Sequence, residues 1–196
     1  KDARVHAKID LAKLAVGKAR YEKGTIVVDA GGGKLAAKVR VDQKAGYLDA
    51  SMATGMQWGA ALAPSLDANQ PVQARLVAKA FRAAAIQPFV ESAVPALDGR
   101  IDADAQATLV PGKPGAQIQG KVTFRDGTVQ IAALGDELQD VRATATLSPD
   151  GTIKVTDVFA KGTQGELRAH ADAKLDGTRL ADGELLRVRG WQDERA

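Results

Sequence analysis

Three glycines at positions 31 to 33, followed by Lys34, are the first residues whose spacing invites a chemical reading, as a loop wrapping a phosphate. That pattern needs four residues between its outer glycines, a Ser or Thr after the lysine, and a helix beyond. Here Leu35 follows Lys34 and the next residues alternate as a strand does, so the glycines read as a hairpin loop. Asp102, Asp104 and Gln106 have the opening spacing of a calcium loop. The position that requires glycine holds Ala107, however, and the twelfth holds Lys113 rather than Glu. Polar residues at alternate positions are what a strand shows to solvent. His6 and His170 are the only histidines, far apart and each flanked by charge on an outward parity. No serine sits in a nucleophile elbow. The chain has no cysteine, which excludes a disulfide framework, a thiolate metal site and a thiol nucleophile. No carboxylate pair stands in an apolar setting that the sequence identifies, so no general acid and base can be assigned. Trp58 and Trp191 read as packing or edge residues. The expectation is a protein that is not an enzyme, with no catalytic residues, metal or cofactor.

What the residues do organise is a face. From Glu166 to Leu175, Leu167, Ala169, Ala171, Ala173 and Leu175 share one parity, while Glu166, Arg168, His170, Asp172 and Lys174 share the other. Side chains of a strand alternate between the two sides of a sheet, so this strand is apolar on one side and charged on the other. Ile101 to Leu109, Leu35 to Asp42 and Val141 to Leu147 repeat the pattern. Turn signals recur between such runs, as at Ser148-Pro149-Asp150-Gly151, Asp126-Gly127 and Glu22-Lys23-Gly24. The class is all-β, an antiparallel meander. A sheet apolar on one side needs something to cover that side.

Composition limits what the cover can be. Hydrophobic residues make up 45% of the 196, yet aromatics make up only 4%, and alanine supplies much of the apolar share. Such a face buries little area per residue, which disfavours a tightly packed double layer. The net charge of +3 is spread among interspersed acids and bases without aromatic platforms, so nucleic acid is not an expected partner. No run approaches the roughly 20 apolar residues of a membrane-spanning helix. With Lys1 first and the strand pattern begun by Val5, the chain reads as a piece of something longer whose membrane anchor lies outside it.

The period changes once. Leu76, Val77, Ala80, Phe81, Ala84, Ala85, Phe89 and Val90 recur at three to four residues, which predicts a short helical segment around 72–94, interrupted by Pro88 and ended by Pro95. Residues 1–70 and 96–196 are then two meander segments of one continuous sheet, joined by a helical segment over 71–95. Leu14 and Val16 break the parity of the first strand, which predicts a bulge or a second short strand. Gly55 to Val72 dissolves into Gly, Ala and Pro and shows no period.

The order of elements in the second half resembles a known family. Pro95-Ala96-Leu97-Asp98-Gly99-Arg100-Ile101 leads through a strand and a Pro-Gly loop to Gly120-Lys121-Val122-Thr123-Phe124-Arg125-Asp126-Gly127-Thr128-Val129. Leu134-Gly135, Leu138-Gln139-Asp140-Val141 and Gly162-Thr163-Gln164-Gly165-Glu166-Leu167 follow. This looks like the TamB family, the translocation and assembly module inner-membrane subunit within the AsmA-like group. The likeness covers Val94 to Gly177 well and the first ninety residues in general character only. It implies an elongated, curved, taco-like sheet with an open greasy groove, in a protein of the Gram-negative periplasm tethered to the inner membrane. It also implies an Omp85-family partner reached through other parts of the parent chain, phospholipid passage between the membranes, and support of outer-membrane assembly. No cofactor is implied. The alanine-heavy inner face departs from the family's greasier interior.

On this reading the groove is lined by Val5, Ile9, Leu11, Leu35, Val39, Val41, Ile101, Leu109, Val122, Phe124, Val129, Ile131, Val141, Leu147, Leu167 and Leu175, which contact phospholipid acyl chains. Two rivals remain. One is a scaffold whose strand edges pair with client strands during outer-membrane protein insertion. The other is a closed sandwich or barrel that covers its own apolar face.

Overall fold

Alternation decides the local structure almost everywhere, and the sheet it builds runs in chain order. The computed structural model describes residues 3–16, 19–59, 63–112, 116–132, 136–163, 165–176 and 179–181. Its strands are β1 (Val5–Val16), β2 (Ala19–Gly31), β3 (Lys34–Gln43), β4 (Gly46–Trp58), β5 (Pro64–Leu66) and β6 (Val72–Arg82). They continue with β7 (Ala96–Leu109), β8 (Ala116–Gln130), β9 (Glu137–Leu147), β10 (Thr152–Gly162), β11 (Gly165–Asp176) and β12 (Arg179–Ala181). All pairings are antiparallel, and each strand neighbours the next in sequence, except that β5 pairs only with β4 and β6 takes the following place. The sheet is open: it does not close into a barrel.

The triple glycine is a hairpin turn. Gly31 pairs with Lys34, and Gly32 and Gly33 between them have φ of 57° and 74°. Two successive left-handed residues match the strand twist, and glycine adopts them without a Cβ clash. Ser148 to Gly151 also turns, with the Gly151 N–H donating to the Ser148 carbonyl at 3.0 Å.

Three expectations are corrected. The helical segment over 72–94 shrinks to a single 3-10 turn, Ala83–Ala85, and one helical turn, α1 (Gln87–Val90). Val72 to Arg82 is instead a full strand between β4 and β7. The two flanking ladders outweigh the helix preference of its alanines, which is a weak bias of a few tenths of a kcal/mol per residue. Glu22-Lys23-Gly24 is not a turn: β2 runs through it, with Gly24 paired to both Leu11 and Val41. Asp126-Gly127 is not a hairpin either. It is a bulge inside β8, with Asp126 at φ 53°. Turn and bulge both need a left-handed residue, so the dipeptide alone does not separate them.

That bulge has neighbours. Ala80 in β6, Asp140 in β9 and Asp157 in β10 also have positive φ, each at a register shift. Aspartate tolerates this region better than most residues. Bulges bend and twist their strands, so β6, β8, β9 and β10 bend where these residues lie. Lys13, at φ 53°, marks the expected irregularity in β1, although the pairing with β2 keeps its register. In the periodless stretch from Gly55 to Val72, the described residues continue β4 to Trp58 and form β5.

The core is small. Ala78, Phe81, Ala85 and Ala103 are buried together, with Tyr21, Leu48, Ile101 and Val122 packed against them. Ala85 belongs to the helical crossover, which the Gln87 amide anchors by donating to the Pro95 carbonyl at 2.8 Å. Among the described residues, no large side chain is fully buried. A self-covered sandwich needs a second layer, and the described residues supply one sheet and this one short crossover.

Candidate functional site

Directly paired residues of an antiparallel sheet share a face, so the registers trace rows of side chains across the strands. One row runs Ile9, Ile26, Val39, Ala50, Leu76, Ala105, Gly120, Leu147, Ile153 and Ala173. The next runs Leu11, Gly24, Val41, Leu48, Ala78, Ala103, Val122, Ala145, Val155 and Ala171. Neither contains a polar residue over ten strands. At roughly 4.8 Å per strand, such a row is about 43 Å long. That exceeds the roughly 30 Å hydrocarbon thickness of a bilayer.

Apart from Ile131 and Leu175, the expected groove residues have registers on this face. Ile9, Val39 and Leu147 lie in the first row, and Leu11, Val41 and Val122 in the second. Val5 and Leu35 flank Ala30, and Leu109 sits between Val72 and Ala116. Ile101 pairs with Phe124, Val141 with Gly127, Val129 with Leu97 and Leu138, and Leu167 with Ala160. Ile131 follows the end of β8 and is half-buried. Leu175 pairs with Leu180, and its side chain lies outside the described residues. None of the other fifteen is fully buried, and Ile9 is 51% and Leu109 45% exposed.

Other residues of the face carry weaker sequence signals. Leu76, 37% exposed, is masked by the helical period of its neighbours. Ile26 and Val28 sit in a run with Val27 that shows no alternation, although the registers put Ile26 and Val28 on one side. Between the strands, Ala37, Val39, Ala50, Met52, Leu76, Ala105 and Ile118 line an open depression of about 410 Å³. Alanines form much of its surface, so it is wide and smooth rather than pocketed.

The opposite face is polar. Its matching row reads Asp10, Thr25, Arg40, Asp49, Val77, Asp104, Lys121, Thr146, Lys154 and Asp172. Cross-strand contacts tie it together: a hydrogen bond between His6 Nδ1 and the Asp29 carboxylate, and ion pairs of Arg40 with Asp49 at 3.4 Å and Arg75 with Asp104 at 3.1 Å. His170 sits far from His6, in β11. Among the described residues, no three histidine, aspartate or glutamate side chains gather as a metal site would require. Asp102 is a clamp. Its carboxylate accepts from the N–H of bulged Ala80 at 2.9 Å and from Arg125 Nε at 2.9 Å. The Ala80 N–H, with Arg125 and Lys79 nearby, holds the Asp102 carboxyl below its ordinary range against partial desolvation. Arg82 does the same for Asp98, through contacts as short as 2.6 Å.

One feature escapes the alternation reading. Phe159 is 6% exposed yet pairs with Arg142 and Arg168, on the charged face. The two guanidinium groups lie 4.2 and 5.3 Å from its ring centroid. The left-handed Asp157 shifts the register, so Val155 and Val158 stay on the apolar side while Phe159 turns outward. The three-residue step from Val155 to Val158 is the sequence signal.

Comparison of the chain with protein-family models, with curated proteins and with solved structures finds no match.

Proposed function

We propose that this chain is a segment of a lipid conduit: its apolar face holds phospholipid acyl chains in transit between membranes, and it performs no catalysis. One observation carries the reading, the ten-strand apolar row that the protein's own side chains leave uncovered. In water such a face is costly, and an acyl chain lying along it recovers roughly 0.8 kcal/mol per buried CH₂. A smooth alanine surface suits passage, because a tight pocket would trap the cargo. The resemblance to TamB proteins supports the same reading. It adds the periplasm as compartment, an inner-membrane tether elsewhere in the parent and an Omp85-family partner for that parent.

A photo-crosslinking residue tests it. Ala143 pairs with Phe124 and Ala171 with Val155 on the apolar side, whereas Thr144 pairs with Thr123 on the other. Crosslinkers at Ala143 and Ala171 should capture phospholipid in cells, and those at Thr144 and His170 should not. Equal labelling of both faces defeats the conduit.

A second reading has an observation of its own. Among the described residues β1 pairs only with β2, which leaves one backbone edge of a twelve-residue strand open. Such an edge can add a strand from a client outer-membrane protein. In that case, charges in the apolar row leave function intact and prolines along the β1 edge abolish it.

A further inference from the structure

The outer edge of β1 is unpaired: among the described residues this strand bonds only to β2. Val5, Ile9 and Leu14 on it are exposed. A free edge presents a row of N–H and C=O groups to any strand whose side chains match its own. Around Ile9 that match is specific. Ala7, Ile9 and Leu11 stand on the apolar side, and Lys8 and Asp10 flank Ile9 on the polar side, opposite in charge and both exposed. A second β1 running antiparallel, with a two-fold axis at Ile9, sets Ile9 against its own copy and Ala7 against Leu11. It also sets Lys8 against Asp10, twice, so four charges alternate in sign around the axis. Moving the axis one residue either way puts Lys8 on Lys8 or Asp10 on Asp10. Like charges directly opposite destabilise a ladder, whereas opposite charges stabilise it. An axis at Ala7 sets His6 against Lys8, and axes between residues set polar side chains beside apolar ones.

We infer that β1 is a self-complementary edge, at which a second copy of this chain joins antiparallel about Ile9 to make one continuous sheet. The ladder runs from His6 to Ala12 and stops at Lys13, whose φ of 53° breaks the extended backbone. Lys8 and Asp10 already meet within one strand at 2.9 Å. Across the ladder each stands nearer to its opposite in the second copy than to residues two along its own strand. The axis is normal to the sheet, so both apolar faces lie on one side. The row from Ile9 to Ala173 then continues through Ile9 of the second copy into the same row there, doubled in length. This pairing goes beyond the conduit reading and does not depend on what the apolar face carries.

Sedimentation of the purified chain over a concentration series tests it. The parent should pass from monomer to dimer as concentration rises, reversibly and weakly, as an interface built on one ladder does. Lys8→Asp and Asp10→Lys each set like charges opposite one another and should stay monomeric, with unchanged circular dichroism because both side chains are exposed. An equimolar mixture of the two variants should form a heterodimer, since the acidic pair of one then faces the basic pair of the other. Misfolding cannot imitate that rescue. The register has its own readout, because the chain has no cysteine. Directly opposed Cα atoms of an antiparallel ladder lie about 4.5–5.5 Å apart, within reach of a disulfide. Ile9→Cys should therefore oxidise to a linked dimer. Val5→Cys should not, since its two copies stand eight residues apart along the ladder, about 27 Å. A parent that is monomeric at every concentration overturns the pairing, as does a dimer that survives both charge reversals. Linkage through Val5→Cys but not Ile9→Cys places the contact elsewhere and overturns it too. A monomeric parent that takes up a peptide from an outer-membrane β-strand at this edge assigns the edge to a client instead.

Discussion

The ring of Phe124 lies against Gly99, so closely that a methyl group on Gly99 would come within 2.6 Å of it. Gly127, in the β8 bulge, borders the same ring. Two glycines on neighbouring strands thus make the seat for one of the chain's four phenylalanines. Gly99 also has φ of 137°, a conformation that L side chains rarely adopt. Gly99→Ala should therefore destabilise the fold by about 1–3 kcal/mol, from ring displacement and backbone strain together. A lowered urea midpoint with unchanged slope is the expected result, and an unchanged midpoint refutes the seat.

Acid should loosen the same end of the sheet. Arg82 and the Gly99 N–H hold the Asp98 carboxyl below its ordinary range, partial desolvation opposing them. A depressed folded-state pKa contributes stability that is present above the unfolded value, about 3.9. That contribution is lost as the pH falls through the folded value. Asp98→Asn should be less stable than the parent at pH 7, and the gap should close below about pH 4. Urea titrations at several pH values measure it; a gap independent of pH means that the ion pair contributes nothing.

Phe159 offers a probe of the outer face alone. Its ring is buried under Arg142 and Arg168, which lie over it at 4.2 and 5.3 Å. Phe159→Leu keeps an apolar side chain but removes the ring's attraction for the two cations, which is worth about 0.5–1 kcal/mol at exposed sites. A small drop in thermal midpoint is expected, with lipid binding unchanged because the residue faces away from the apolar rows. Loss of lipid from this variant would place the lipid on the wrong face.

Much of this architecture is readable from alternation. Leu35 to Val41, Ile101 to Leu109 and Leu167 to Ala173 declare their faces residue by residue, and the registers keep them there. The misreadings share a cause. Alanine is small enough to fit a helix or a strand, so Ala80, Ala84 and Ala85, spaced with Leu76, Val77 and Phe81, gave β6 a false helical period that only pairing with β4 and β7 resolves. Asp126 and Asp157 are left-handed within strands rather than at their ends, and a local signal for that backbone conformation does not say which. A cavity of about 630 Å³ is lined by residues from β2, the β3–β4 turn, β6, β7 and β8, and no local stretch of sequence could have exposed it.

A charge in the central row should expel lipid. Ala105 pairs with Leu76 and Gly120 in the middle of the apolar surface, and Gln106 is its neighbour on the polar side. Ala105→Glu puts a carboxylate where an acyl chain would have to strip its water, at a cost of several kcal/mol. Gln106→Glu adds the same charge on the other face. Mass spectrometry of copurifying lipid should show the first variant depleted at least about tenfold and the second like the parent. Equal retention by both sinks the conduit.

Filling the trough with the protein's own atoms makes the converse test. Ala50 and Ala105 both adjoin Leu76 in the central row, where their small side chains leave the depression of about 410 Å³ open. Replacing both with Phe supplies roughly 150–250 Å² of ring surface per site that can lie across the neighbouring Val39 and Leu76. Covering exposed apolar surface stabilises by roughly 25 cal/mol per Å², so the double variant should melt no lower than the parent and carry less lipid. Stability gained and lipid lost together mean that ligand and side chain compete for one surface. A variant that gains stability and keeps its full lipid load shows that the lipid binds elsewhere, and the apolar rows then serve some other occupant.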